Sequence, residues 1–135
     1  MVPAVEPQIA LNPKQLSGPA LRTFFRIAES WDLSVEEQRT LLGRPARSTF
    51  FSWRQHPEEA TLSKDTLERI SYILGIYSAL QVLLPDEKAA DAWVKKPNKA
   101  SIFGGTSALD RMLSGNVSDL YVVRQYLDGQ RGGRS

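Results

Sequence analysis

The chain has 135 residues, 41% of them hydrophobic, with no cysteine and one histidine, the size of one domain or of two small modules on a common core. Disulfides and cysteine-based metal sites are excluded, and His56 has no histidine partner for a metal cage. Seventeen Lys and Arg against fifteen Asp and Glu leave a net charge of +2, too little to argue for nucleic acid without a local concentration of charge.

The first sixteen residues carry Pro3, Pro7 and Pro13 and no basic stretch leading into a long apolar core, so residues 1–16 read as a flexible leader and not as a signal peptide. A first helix is predicted to open near Ser17-Gly18-Pro19, because proline is tolerated in a first turn, and to run to about Trp31. Leu21, Phe24, Phe25, Ala28 and Trp31 then share one stripe. Ser34, with Glu37 three positions on, is a capping-box pattern that starts a short helix carrying Leu41 and Leu42 to a stop at Gly43. Pro45 can start a third helix, Ala46 to Gln55, which Pro57 ends. Two short helices joined by a glycine-containing turn outline a helix-turn-helix.

The chain is organised around the stretch from Ser63 to Leu84. Between Ile70 and Leu84 only Ser71, Gly75, Ser78 and Gln81 interrupt the apolar residues. A helix apolar nearly all round is a buried helix, so protein has to cover it from both sides. A central helix shared by two modules is predicted, and the same apolarity leads to the expectation of a homodimer. The run is too short to span a membrane, and Lys64, Asp65, Glu68 and Arg69 crowd its start. With the lack of cysteine, this suits a cytoplasmic protein.

Beyond Pro85, Asp86 can cap a helix reaching about Lys96. Pro97-Asn98 stops it, and Ile102-Phe103-Gly104-Gly105 follows as a bend whose glycines allow positive φ. Ser107 with Asp110 caps a short helix ending at Gly115. Asn116 caps a last one, with Leu120, Val123 and Leu127 at helical spacing, ended by Gly129. The tail from Gln130 to Ser135 has no apolar anchor and is expected to be mobile. The fold expected is all-α, with a helix-turn-helix bundle and central helix over residues 17–84 and a small helical module over 85–135.

The case for DNA rests on Arg39, Arg44, Arg47 and Arg54, which fall in a stretch with no carboxylate between Gln38 and Glu58. If Phe50 and Trp53 point to the core, Ser48, Ser52 and Gln55 project from the opposite face with Phe51 at its edge. Those side chains suit base edges, while Arg44, Arg47 and Arg54 suit phosphates. An ordinary helical bundle with a solvated basic edge is the plainer alternative. An enzymatic reading is poor: His56 is at a helix end before Pro57, and Gly104-Gly105-Thr106 lacks the lysine and spacing of a phosphate loop.

Trp93, Pro97-Asn98, Ile102-Phe103-Gly104-Gly105, Leu109-Asp110, Leu113-Ser114-Gly115, Asp119-Leu120-Tyr121 and the run from Val123 to Asp128 through Arg131-Gly132-Gly133 resemble the toxin-binding C-terminal domain of the Xre/MbcA/ParS antitoxins. LLGRPARSTFFSWRQHP, ahead of it, is similar to the Xre-like helix-turn-helix of the same family. The resemblance implies a non-enzymatic type II antitoxin needing no cofactor. Its partner would be a RES-domain toxin that consumes NAD or transfers ADP-ribose from it. The C-terminal module would occlude the toxin's active site, and the N-terminal one would bind the operon's promoter as an autorepressor. Carried over by position, Phe103, Gly104, Gly105, Tyr121, Arg124, Arg131, Gly132 and Gly133 become toxin contacts, with the exposed tail arginine Arg134 beyond them. Relatives often have a tryptophan after the second tail glycine, where this chain has Arg134. The rival readings are a transcriptional regulator whose C-terminal module senses a small ligand at the Gly104-Gly105 bend, and a helical adaptor that binds no DNA.

Overall fold

The computed structural model describes residues 12–132, and within them the chain is all-α. Its helices are α1 (Pro13–Ser30), α2 (Val35–Leu41), α3 (Arg47–Gln55), α4 (Lys64–Leu83), α5 (Glu87–Ala92), α6 (Ala108–Met112) and α7 (Val117–Gly132), with short 3-10 turns at Pro57–Glu59, Trp93–Lys95 and Ser101–Phe103. The predicted caps of α2, α5 and α6 are in place, and Ser63 caps α4: Ser34, Asp86, Ser107 and Ser63 each accept a hydrogen bond from the third backbone N–H of the helix they precede.

α4 is the shared centre, with α1 packed along one side and α7 along another. Ile70, Ile73, Ile76, Ala79 and Leu80 of α4 are buried in a single cluster with Leu21, Phe24 and Trp31 of α1 and Leu120, Val123 and Leu127 of α7. Burial of that many large side chains, each contributing roughly 1.5–3 kcal/mol, is what holds the two modules together. The covering is incomplete, since Val82 is 60% exposed.

Both ends of the described chain depart from expectation. α1 starts at Pro13, not near Ser17, because Asn12 and Gln15 form a reciprocal capping box one turn earlier. Pro19 lies inside the helix. Ser17 and Gly18, the residues that signalled a start, instead serve packing. The Ser17 hydroxyl donates to the Pro13 carbonyl and accepts from the Leu62 amide at 2.8 Å, while Gly18 lets the Pro57–Glu58 backbone pass within 3.5 Å of where a Cβ would stand. At the other end α7 continues through Gly129 to Gly132. Gly129 is not among the positive-φ glycines, so it does not make the left-handed cap that would stop a helix. Of the tail, Gly133, Arg134 and Ser135 lie outside the described residues, as do residues 1–11 of the leader.

Candidate functional site

The helix-turn-helix is built by a tight turn after α2. Gly43 (φ 96°) and Arg44 (φ 66°) both take left-handed backbone conformations, unusual for a non-glycine residue. Arg39 braces this turn: its Nε donates to the Pro45 carbonyl at 3.0 Å and its Nη1 to Glu36 at 2.7 Å. Glu36 also pairs with Arg47. The basic stretch read along the sequence is thus partly neutralised across space by a carboxylate from the preceding helix turn.

On α3, Phe50 is fully buried and Trp53 half-buried, while Ser48, Ser52, Arg54 and Gln55 are exposed. This is the face division predicted from their spacing. Phe51 is half-buried at the edge, with the Arg47 guanidinium 5.5 Å above its ring. Arg54 turns toward α1, where its guanidinium lies 5.6 Å from the Phe25 ring centroid. Arg44 is exposed at the turn and its Nη2 reaches Gly115, 3.1 Å from where a Cβ there would stand. The two modules therefore touch at the helix-turn-helix turn. His56 is exposed at the end of α3, 3.9 Å from the Glu58 carboxylate.

In the C-terminal module the bend is a closed loop. Pro97 bridges Ser107, and the Asn98 amide donates to the Thr106 carbonyl at 2.9 Å. Phe103 is buried beneath the bend, edge-on to Trp93 and Tyr126 at 5.9 and 5.3 Å. It shapes the loop from inside, and Gly104 and Gly105 form the exposed surface. Both glycines have positive φ, 57° and 87°, and open space around them.

One ion pair ties this loop to α6 and α7. The Arg111 Nε donates to Asp119 at 2.8 Å and its Nη1 to the Ile102 carbonyl at 2.7 Å, while the Ser114 hydroxyl donates to Asp119 at 2.6 Å. Hydrogen bonds from Ser114 and then Arg111 hold the Asp119 carboxyl below the ordinary aspartate range.

The remaining predicted contacts are on α7. Tyr121 is 43% exposed, and its hydroxyl accepts from Gln125 at 2.7 Å. Arg124 is half-buried, donating to Asp128 at 3.3 Å and to the Ser71 carbonyl of α4 at 3.5 Å. Arg131 and Gly132 are exposed at the helix end.

Two features escaped sequence reasoning. Arg22 and Arg26, one turn apart on α1, join Arg54 around a polar cleft that also includes Glu29 and Asp32; their i, i+4 spacing was the available signal. The second is an apolar groove of about 570 Å³ between α1, α4 and α7, floored by Ser71, Gly75 and Ser78 and edged by Arg124 and Arg131. In the sequence the small residues of α4 interrupt an apolar helix; in the fold they are the floor of a groove.

Comparison with known proteins agrees with this arrangement. Residues 10–75 match the antitoxin Xre-like helix-turn-helix domain, and residues 79–133 match the antitoxin Xre/MbcA/ParS C-terminal toxin-binding domain. The boundary between the two matches falls within α4. The chain is also similar to the uncharacterized protein y4oB of Sinorhizobium fredii (strain NBRC 101917 / NGR234), 54% identical over 113 residues that make up 84% of each chain.

Proposed function

The chain belongs to the Xre/MbcA/ParS antitoxin family, and from that premise we propose that it is the antitoxin of a type II system that neutralises a RES-domain toxin. The toxin would be an enzyme that degrades NAD or transfers its ADP-ribose group. Neutralisation is by occlusion: the exposed Gly104-Gly105 turn and the α7 residues Tyr121, Arg124, Arg131 and Gly132, with Gly133 and Arg134 beyond, cover the toxin's active-site entrance. Such a role needs no catalytic group or cofactor in this chain.

The same chain binds its own promoter through α3 and represses it. Ser48, Ser52 and Gln55 meet base edges, Phe51 lies beside them, and Arg44, Arg47 and Arg54 hold phosphates. We place it in the cytoplasm as a homodimer, in keeping with paired half-sites in helix-turn-helix operators. No helix of the described residues is long and apolar enough to cross a membrane.

The observation that supports this reading best is the separation of two exposed faces on one core, a serine- and glutamine-bearing face on α3 and a glycine- and arginine-bearing face in the module matched to toxin binding. The test is co-expression with the product of the neighbouring reading frame, the position a partner toxin gene would occupy. Rescue of growth and of cellular NAD, with co-purification of the two proteins, is expected. Full toxicity in the presence of this chain would sink the proposal.

A further inference from the structure

The groove between α1, α4 and α7 lies partly outside the module matched to toxin binding, and nothing in the described chain fills it. Its wall on α1 is Leu16, Ala20 and Thr23; on α4, Leu67, Ile70 and Leu74. Leu16, 38% exposed, extends a contiguous apolar surface at the groove's edge. Gly75, between Ser71 and Ser78, leaves room at the floor for the Arg124 guanidinium to lie across α4.

The groove's cations are Arg124 and Arg131, both on α7 and both within residues 79–133. Arg124 forms an ion pair with Asp128 at 3.3 Å and donates to the Ser71 carbonyl at 3.5 Å, both at the long end of the range. Arg131 makes no ion pair among the described residues. An apolar trough with two guanidinium groups along one edge, that of Arg131 without an ion pair among the described residues, is complementary to an apolar segment bearing a carboxylate. None of the α3 residues assigned to DNA lines it, so an occupant leaves that face free.

We infer that the toxin-binding surface extends across α7 into this groove, and that an apolar segment of the toxin carrying at least one Asp or Glu seats there against α1. This inference rests on the antitoxin reading and adds to it a second contact, made with the N-terminal module. The carboxylate pairs with Arg131 and Arg124, while the apolar side chains replace water over Leu16, Ala20 and Leu74. The contact is joined to the surface of the toxin-binding module through Arg124 and Arg131, which line the groove and lie on α7 within that module.

The test compares the full-length chain with Leu16→Glu and Thr23→Glu by titration against the purified product of the neighbouring reading frame. Both positions are on α1, outside the C-terminal match. Each variant is expected to bind at least tenfold more weakly, through loss of apolar contact and repulsion of the incoming carboxylate, with promoter affinity and melting temperature unchanged. Thr23→Val is expected to bind as the parent does. If the parent binds the toxin and both Glu variants bind equally well, the groove assignment is wrong while the antitoxin reading stands. A loss of self-association with toxin affinity intact would put a second copy of this chain in the groove and overturn the inference. Recovery of toxin affinity on removing residues 1–11 from the Glu variants would likewise assign the groove to that segment. If the parent binds no toxin, the reading and the inference fall together.

Discussion

The guanidinium of Arg124 occupies the space a side chain at Gly75 would need: a Cβ there would stand 2.3 Å from the Arg124 Cζ, Nε and Nη1. The central helix and the last helix interlock at this point, and the glycine that breaks the apolar run of α4 is a seat for an arginine of α7.

Gly75→Ala therefore separates fold from function. The atoms in the way are the end of a flexible side chain, so Arg124 can swing out, and alanine gains up to about 1 kcal/mol of helix propensity over glycine. Chemical denaturation is expected to show stability unchanged or slightly raised. Toxin affinity is expected to fall as in Arg124→Ala, because the same guanidinium has been moved or removed. A variant that keeps full affinity would show that Arg124 contributes nothing from this position.

Promoter binding tests the α3 face. Arg47→Ala, at a proposed phosphate contact, should weaken binding to all sequences while lowering the slope of log K against log salt by about 0.9. Gln55→Ala should cost about 1–3 kcal/mol at its own base pair and little elsewhere. Gel-shift or fluorescence titration at several salt concentrations reads both. Equal loss of all sequences in Gln55→Ala would remove it from base reading.

Asp119 predicts a pH dependence. Its folded-state carboxyl titrates below the ordinary aspartate range, so its contribution to stability is fully present above the unfolded pKa of about 3.9 and disappears as the pH falls through the lower folded value. Asp119→Asn, which keeps the shape but loses the charge paired with Arg111, is expected to cost about 1–2 kcal/mol at neutral pH. The difference from the parent should shrink on acidification below pH ~4. A constant difference down to pH ~2 would mean that the carboxylate charge is not what matters.

Gly104 and Gly105 test whether the bend is needed for its backbone or for its bareness. Gly105→Ala meets no neighbour within 4 Å but must hold φ at 87°, so it is expected to lower stability by about 1 kcal/mol. At Gly104, where φ is 57°, asparagine is expected to be tolerated by the fold. If the toxin approaches this turn closely, Gly104→Asn weakens toxin binding even though melting is nearly unchanged. Unaltered toxin affinity would take the turn out of the interface.

Much of this protein was written locally. The caps at Ser34, Ser63, Asp86 and Ser107 are signals within three residues of their targets, and the split of α3 into a Phe50 side and a Ser48, Ser52 and Gln55 side follows from helical period alone. The fifteen-residue apolar run from Ile70 to Leu84 determined that a central helix would be covered from two sides, because that much apolar surface has no other stable place. The family resemblance of the C-terminal module was also carried by short turns and caps in order.

What only the tertiary structure decided are relationships between residues far apart in the chain. Ser17 and Gly18 looked like a helix start because nothing local shows that the segment from Pro57 to Leu62 packs against them. Arg39, Arg47 and Arg54 lie in a stretch without carboxylates, and only the folded chain brings Glu36 beside the first two and the Phe25 ring beside the third. Gly75 read as a defect until Arg124 was laid on it. A helix's own sequence sets its period and its ends within a few residues, but the partner of a side chain is chosen by how helices pack, and that packing joins positions dozens of residues apart.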